Sequence, residues 1–123
     1  MKKFLKCFVY AFRGIVFCLA NERNMRVHLC FTVYMFGYLT VYDFFDVSRT
    51  GFAVLFTLCA LVMSLEAVNT AVERAVDLAA KSEISPLAKV AKDSCAGAVL
   101  ISAIAAVAAG IATVSYTHLR APE

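Results

Sequence analysis

The chain has 123 residues, of which 62% are apolar and only 17% charged. Soluble domains carry nearer half apolar and a quarter charged residues, and this length holds one domain. Twelve Lys and Arg against nine Asp and Glu leave a net charge of +3, too weak on so apolar a chain for a nucleic-acid binder. The five Cys are dispersed, with no C-x-x-C, so a disulfide framework or zinc site is not expected and they read as small packing residues.

The N-terminal segment is predicted to be a helix over about 3–20. Phe4, Leu5, Phe8, Phe12, Ile15, Val16 and Leu19 recur at helical spacing, and Lys3, Lys6, Tyr10 and Arg13 fall on another face. That pattern reads as an amphipathic helix on a membrane surface. No small-residue cleavage site follows an apolar stretch, so it does not read as a signal peptide.

Three uncharged runs follow: Val27–Tyr42 and Thr50–Leu65, of 16 residues each, and Ser94–Thr117, of 24. A spanning helix needs about 20 apolar residues. The third run qualifies alone, and the first two qualify when their flanks join them, giving spans of about 25–45, 51–72 and 94–116. Soluble core helices are the competing reading, but a chain this short has too little polar surface to cover three of them. Six of the twelve basic residues precede the first uncharged run and four lie between the second and third runs, at 74, 81, 89 and 92. The positive-inside rule then places the N-terminus and the 74–93 segment in the cytoplasm, with Asp43–Gly51 and the C-terminus outside. The expected fold is all-α and integral to the membrane, a surface helix plus three spans.

The second span carries a polar stripe. Glu66, Asn69, Thr70, Glu73 and Asp77 share a sector about 100° wide, with Val68, Val72, Ala75 and Val76 off it. Acids in a spanning helix are costly and mark function; the competing reading, a solvated face beyond the bilayer, suits Asp77 better than Glu66. If the helix enters the hydrocarbon near Gly51, Glu66 lies about 22 Å along it and Glu73 about 10 Å further, so one acid meets a lipid-anchored group and the other a soluble one. Asn21-Glu22-Arg23-Asn24-Met25-Arg26-Val27-His28 opens the first span and Ala91-Lys92-Asp93-Ser94 the third. Lys92 is suited to phosphate as a point charge, although Lys92-Asp93 also reads as a helix cap. Glu22 and Glu73 are suited to a shared hard cation, Mg²⁺. His28 reads as an interfacial residue rather than a ligand. No P-loop and no kinase glycine loop occurs.

Glu66-Ala-Val-Asn69-Thr70-Ala-Val-Glu73-x-x-Val-Asp77, followed by Ala91-Lys92-Asp93-x-x-Ala-Gly-Ala-Val-Leu-Ile101, resembles the prokaryotic diacylglycerol kinase family, which includes the undecaprenol kinases. Ala11-Phe12-Arg13-Gly14 ahead of Glu22-Arg23-Asn24 fits the same pattern, and the resemblance covers about residues 3–114. It implies a homotrimer with active sites shared between subunits at the cytoplasmic interface of a bacterial plasma membrane. It also implies transfer of the γ-phosphoryl group of ATP, with Mg²⁺, to a membrane lipid alcohol. By position, Glu66 matches the general base, meeting the lipid substrate beside Arg26, which lines the lipid site. Glu22 and Glu73 match the metal ligands that carry the nucleotide, and Asn69, Lys92 and Asp93 match nucleotide contacts. Lys3 and Tyr10 match further nucleotide contacts, and the loop Ser82–Ser85 lies near the nucleotide with no residue assigned.

The Glu22–His28 stretch resembles the undecaprenol side of the family more than the diacylglycerol side. Residues 115–123 depart from the family's apolar ending, so the kinase domain is expected over 1–116 with 117–123 as a tail without assigned function. Two other readings compete. A small multidrug-resistance-like transporter needs a fourth span and an acid in the first, which Val27–Tyr42 lacks. A non-catalytic membrane adaptor predicts no ATP binding and tolerance of Glu66→Ala.

Overall fold

The computed structural model describes residues 1–41, 49–81 and 83–120. They form four helices: α1 (Lys2–Asn21), α2 (Arg23–Val41), α3 (Arg49–Ala80) and α4 (Pro86–Arg120). The expected spans fall within α2, α3 and α4, except that 42–45 of the first, and most of the turn Asp43–Gly51, lie outside the described residues. At 32 residues α3 is about 48 Å long, well beyond a hydrocarbon thickness of about 30 Å. A helix of that length crossing such a layer upright leaves about a third of itself outside. α4 starts eight residues before its expected span and runs through the expected domain boundary at 116. Lys92-Asp93 lies inside that helix and is not its cap.

Among the described residues three helices are long and apolar enough to cross a membrane: α1, α3 and residues Pro86–Thr113 of α4. The sequence pattern assigned α1 to the membrane surface and α2 to a span. α1 is apolar enough because its lysines and Arg13 occupy one edge of an otherwise apolar helix. The described part of α2 is 19 residues and carries Arg23, Arg26 and His28 in its first two turns. Phe4, Phe8, Phe12, Phe31, Phe56, Leu100 and Ile104 are all largely exposed, as lipid-facing residues are.

The α1–α2 break is one residue. Glu22 is extended (φ −109°, ψ 112°), its N–H reaches the Cys18 carbonyl at 2.9 Å, and its own carbonyl accepts from the Arg26 N–H at 3.3 Å. Arg26 Nη1 donates to the Leu19 and Ala20 carbonyls at 3.3 and 2.8 Å, satisfying two acceptors that the end of α1 leaves open. At the other corner Lys81 takes φ 51°, the left-handed conformation that ends helices. Ser85 then caps α4, its Oγ accepting from the Ala88 N–H at 3.4 Å, with Pro86 in the first helical position. Ser82, in the expected nucleotide loop, lies outside the described residues.

α4 packs chiefly on α3, α2 packs on α3 more lightly, and α1 touches α2 and α3 least. The inward face of α4 runs Cys95, Val99, Ser102, Ala106 and Ala109, at spacings of three and four. Of the small residues of α4, Ser102, Ala106, Ala109 and Gly110 face inward, whereas Ala96, Ala98 and Ala105 are exposed. The buried positions of α3 are Leu55, Val62, Glu66, Asn69 and Thr70. At 100° per residue all five fall on one face. The polar stripe is therefore the continuation of the packing seam, apolar at one end and acidic at the other.

Candidate active site

The seam changes character at Val62. Below it, α2, α3 and α4 enclose a groove of about 680 Å³, lined almost wholly by apolar atoms and including Leu55, Cys59, Val62, Phe31, Met35 and Gly110. Above it, one turn on, Glu66 begins the acidic stretch. Glu66 is only 5% exposed and Asn69 and Thr70 are 7% and 3% exposed. The side chains in this stretch are tied along the helix. Thr70 Oγ1 donates to the Glu66 carbonyl at 3.1 Å, and Asn69 Nδ2 donates to Glu73 Oε1 at 3.4 Å. Among the described residues the buried Oδ1 of Asn69 has no hydrogen-bond partner. Buried polar atoms are almost always paired, so this carbonyl keeps the capacity to accept a further hydrogen bond.

Three elements bring charge to this end of the bundle. The carboxylate of Glu66 is approached by His28 Nε2 of α2 at 3.6 Å. Glu22, fixed by the one-residue break, is approached by Arg74 Nη2 of α3 at 3.4 Å. The Arg74 guanidinium also lies 5.5 Å above the ring of Phe17, close enough for a cation–π contact. Glu22 and Glu73 both lie within electrostatic reach of Glu66. On the far side, Lys92 Nζ of α4 pairs with Asp77 of α3, and Lys89 pairs with Asp93 at 3.0 Å along α4.

Of the residues singled out in the sequence, Glu22, Glu66, Asn69 and Glu73 converge on one patch, and Lys92 is held at the same end of α3 through Asp77. Asp93 is turned to Lys89. Arg26 is engaged with the end of α1. Lys3 and Tyr10 are exposed on α1. Tyr10 lies under the Arg13 guanidinium at 5.8 Å, and no described hydrogen bond or ion pair joins it or Lys3 to the acidic patch. Two participants escaped the sequence reading. Arg74 counted there only as a topology signal, and His28 only as an interfacial residue. The periodicity of α2 held the clue for His28, because Met25, His28, Leu29, Thr32, Met35 and Phe36 share the inward face.

Among the described residues no three His, Cys, Asp or Glu side chains group as a ready cage for a metal ion. The donors here are carboxylates backed by one amide oxygen. That set fits a hard cation that retains water and phosphate oxygens and takes only one or two ligands from the protein. It does not fit a fully protein-bound ion.

A sequence profile described as prokaryotic diacylglycerol kinase matches residues 9–114. A diacylglycerol kinase of Synechocystis is 42% identical over 106 residues, which cover 86% of this chain and 59% of that protein. An undecaprenol kinase of Bacillus subtilis is 38% identical over 106 residues, covering 85% of this chain and 81% of that protein. The chain thus spans about three-fifths of the length of the first relative and four-fifths of the second. The profile takes in the break at Glu22, the acidic stripe of α3 and Lys92 of α4, and by that match the chain belongs to the prokaryotic diacylglycerol kinase family.

Proposed function

We propose that this chain is an ATP-dependent lipid kinase that phosphorylates the hydroxyl of a membrane lipid alcohol, with undecaprenol preferred over diacylglycerol. The observation that carries the reading is the seam of α3, where an apolar groove stops one turn short of a buried glutamate. A lipid lying along the groove brings its hydroxyl to Glu66 and leaves its tail among Leu55, Cys59 and Gly110. The polar residues beyond Glu66 then face whatever arrives from water. Relatives whose names are diacylglycerol kinase and undecaprenol kinase support the reaction class.

In this reading Glu66 takes the hydroxyl proton on a carboxylate oxygen as the new oxygen–phosphorus bond forms and the bond from the γ-phosphorus to the bridging oxygen breaks, releasing ADP. Most of the remaining catalysis is positioning, since phosphoryl transfer asks for alignment and charge rather than covalent help. The open Oδ1 of Asn69 accepts from the nucleotide. Lys92 sets a positive charge toward the phosphates, with Asp93 beside it. Lys3 and Tyr10 of α1 are further nucleotide contacts, and Arg26 borders the lipid. Glu22 and Glu73 hold Mg²⁺, which when bound offsets phosphate charge.

The kinase domain takes in residues 1–116, with 117–123 as a tail. α1 lies on the cytoplasmic leaflet of a bacterial plasma membrane, α2, α3 and α4 span it, and the N-terminus is cytoplasmic, in line with the six basic residues up to position 26 and those at 74, 81, 89 and 92 around the α3–α4 corner. The subunits form a homotrimer whose sites are shared across subunit boundaries.

The test is transfer of labelled γ-phosphate by the purified chain in detergent to a C55 isoprenoid alcohol and to diacylglycerol. The expected result is phosphorylation of both, faster for the isoprenoid, with Glu66→Gln lowering kcat by about 10²–10⁴-fold. Faster diacylglycerol turnover overturns the lipid preference alone. Transfer undiminished in Glu66→Gln removes the base assignment, and absence of transfer to either lipid removes the kinase reading.

A further inference from the structure

Glu66 has an unusual lack of company. The cations around the acidic patch are otherwise engaged: Arg74 with Glu22, Lys92 with Asp77, Lys89 with Asp93, and Arg26 with the end of α1. Thr70 binds the backbone carbonyl of Glu66 and leaves its carboxylate alone. Among the described residues, the side chain that approaches that carboxylate within ion-pair distance is the imidazole of His28, with Nε2 at 3.6 Å from Oε1. A carboxylate on a buried helix face, with rotatable χ angles and one neighbour, takes its direction from that neighbour.

His28 is itself well placed to give direction. It stands on the inward face of α2 and is partly buried. Its backbone carbonyl accepts from Thr32 Oγ1 at 2.8 Å. The imidazole lines the upper end of the apolar groove, together with Val27, Thr32 and Val62. It therefore touches both the path of a lipid tail and the group at the end of that path.

We propose that His28 is a positioning residue for Glu66, its Nε2 fixing the carboxylate at the mouth of the α2–α3–α4 groove so that it meets a hydroxyl delivered there. The inference rests on the kinase reading above. His28 contacts neither nucleotide nor phosphate and acts through Glu66. Removing it therefore disorders the base without loosening the nucleotide. The orienting atom is Nε2, so an amide nitrogen at the same reach serves in its place. Glutamine sets its nitrogen where Nε2 stands, whereas asparagine sets its nitrogen where Nδ1 stands.

The experiment measures steady-state transfer from labelled ATP to a C55 isoprenoid alcohol by the full chain in detergent. It compares the parent with His28→Ala, His28→Gln and His28→Asn, with the thermal midpoint of each recorded. The expected result is a kcat lowered about 10- to 100-fold in His28→Ala and His28→Asn, KM for ATP within about twofold of the parent, and recovery to within about fivefold in His28→Gln. The Gln-to-Asn comparison keeps the question open to a decision even if the alanine variant fails to fold. An active parent whose kcat is unmoved by all three substitutions overturns the inference and leaves the kinase reading standing. So does equal damage from Gln and Asn, or a loss that falls on KM for ATP. An inactive parent overturns the kinase reading itself, and this inference with it.

Discussion

Arg74 Nη2 stands 3.4 Å from Glu22 Oε1, and the same guanidinium covers the Phe17 ring. One side chain of α3 thus holds both the last turn of α1 and the single residue that separates α1 from α2. It also places a fixed positive charge beside a carboxylate proposed to hold Mg²⁺. The pair is partly exposed, with 60% of the Arg74 side chain open, so its contribution to stability is at most about 1 kcal/mol. Competition with the cation is the larger consequence. Arg74→Ala is expected to lower the half-saturating Mg²⁺ concentration, by up to about fivefold for an interaction of that size. A titration of activity against Mg²⁺ at fixed ATP checks this, and an unchanged or raised half-saturation point rules out the competition.

Asn69 is 7% exposed and its Oδ1 has no partner among the described residues, so that oxygen contributes little to holding the fold. A buried carbonyl without a hydrogen bond is a cost of about 1–3 kcal/mol that an apolar residue of similar size removes. Asn69→Leu is therefore expected to keep or raise the thermal midpoint while raising KM for ATP tenfold or more. Thermal unfolding in detergent and ATP saturation curves read the two effects separately. A lowered midpoint with normal KM makes Asn69 a packing residue instead.

The helices, the acidic stripe and its grouping with Glu22 were legible in the sequence because each is a matter of spacing along one helix or of charge at a boundary. Glu66, Asn69, Thr70 and Glu73 lie within eight residues, and helical geometry alone puts them together. The pairing of Arg74 with Glu22 joins residues 52 apart in sequence, and that of Lys92 with Asp77 joins residues 15 apart across a turn. No local period encodes either. The membrane assignment of α1 and α2 was the least legible. Both helices mix a basic edge with an apolar body, so composition along the chain does not separate a span from a surface helix as it does for α3 and α4.

Lys92 belongs to α4 but is paired with Asp77 of α3, so a neighbouring helix fixes where its charge stands. Both side chains are more than a third exposed, 37% and 61%, and the pair contributes at most about 1 kcal/mol to stability. Lys92→Met is expected to reduce kcat/KM for ATP by about tenfold or more through loss of phosphate charge. Asp77→Asn, which frees the lysine without removing it, is expected to cost less than about threefold. A double-mutant cycle on kcat/KM separates the two roles. Equal losses from the two single substitutions make the pair structural and take Lys92 out of the nucleotide site.

Gly110 of α4 faces Leu55 of α3 at the wall of the apolar groove, and a methyl group added at Gly110 meets Leu55 Cδ2 at 3.7 Å, an ordinary contact. Replacing a helical glycine by alanine stabilises a helix by up to about 1 kcal/mol. With no clash to offset it, Gly110→Ala is expected to raise the thermal midpoint by a few degrees and to leave both KM values alone. Gly110→Leu fills groove volume instead. If the tail of the acceptor lies there, this substitution raises KM for the isoprenoid alcohol several-fold while KM for ATP stays constant. Lipid saturation curves for the two variants decide the point. Indifference of the lipid KM to a leucine at 110 would mean that the acceptor's tail runs elsewhere, leaving Glu66 to meet its hydroxyl from outside the α2–α3–α4 groove.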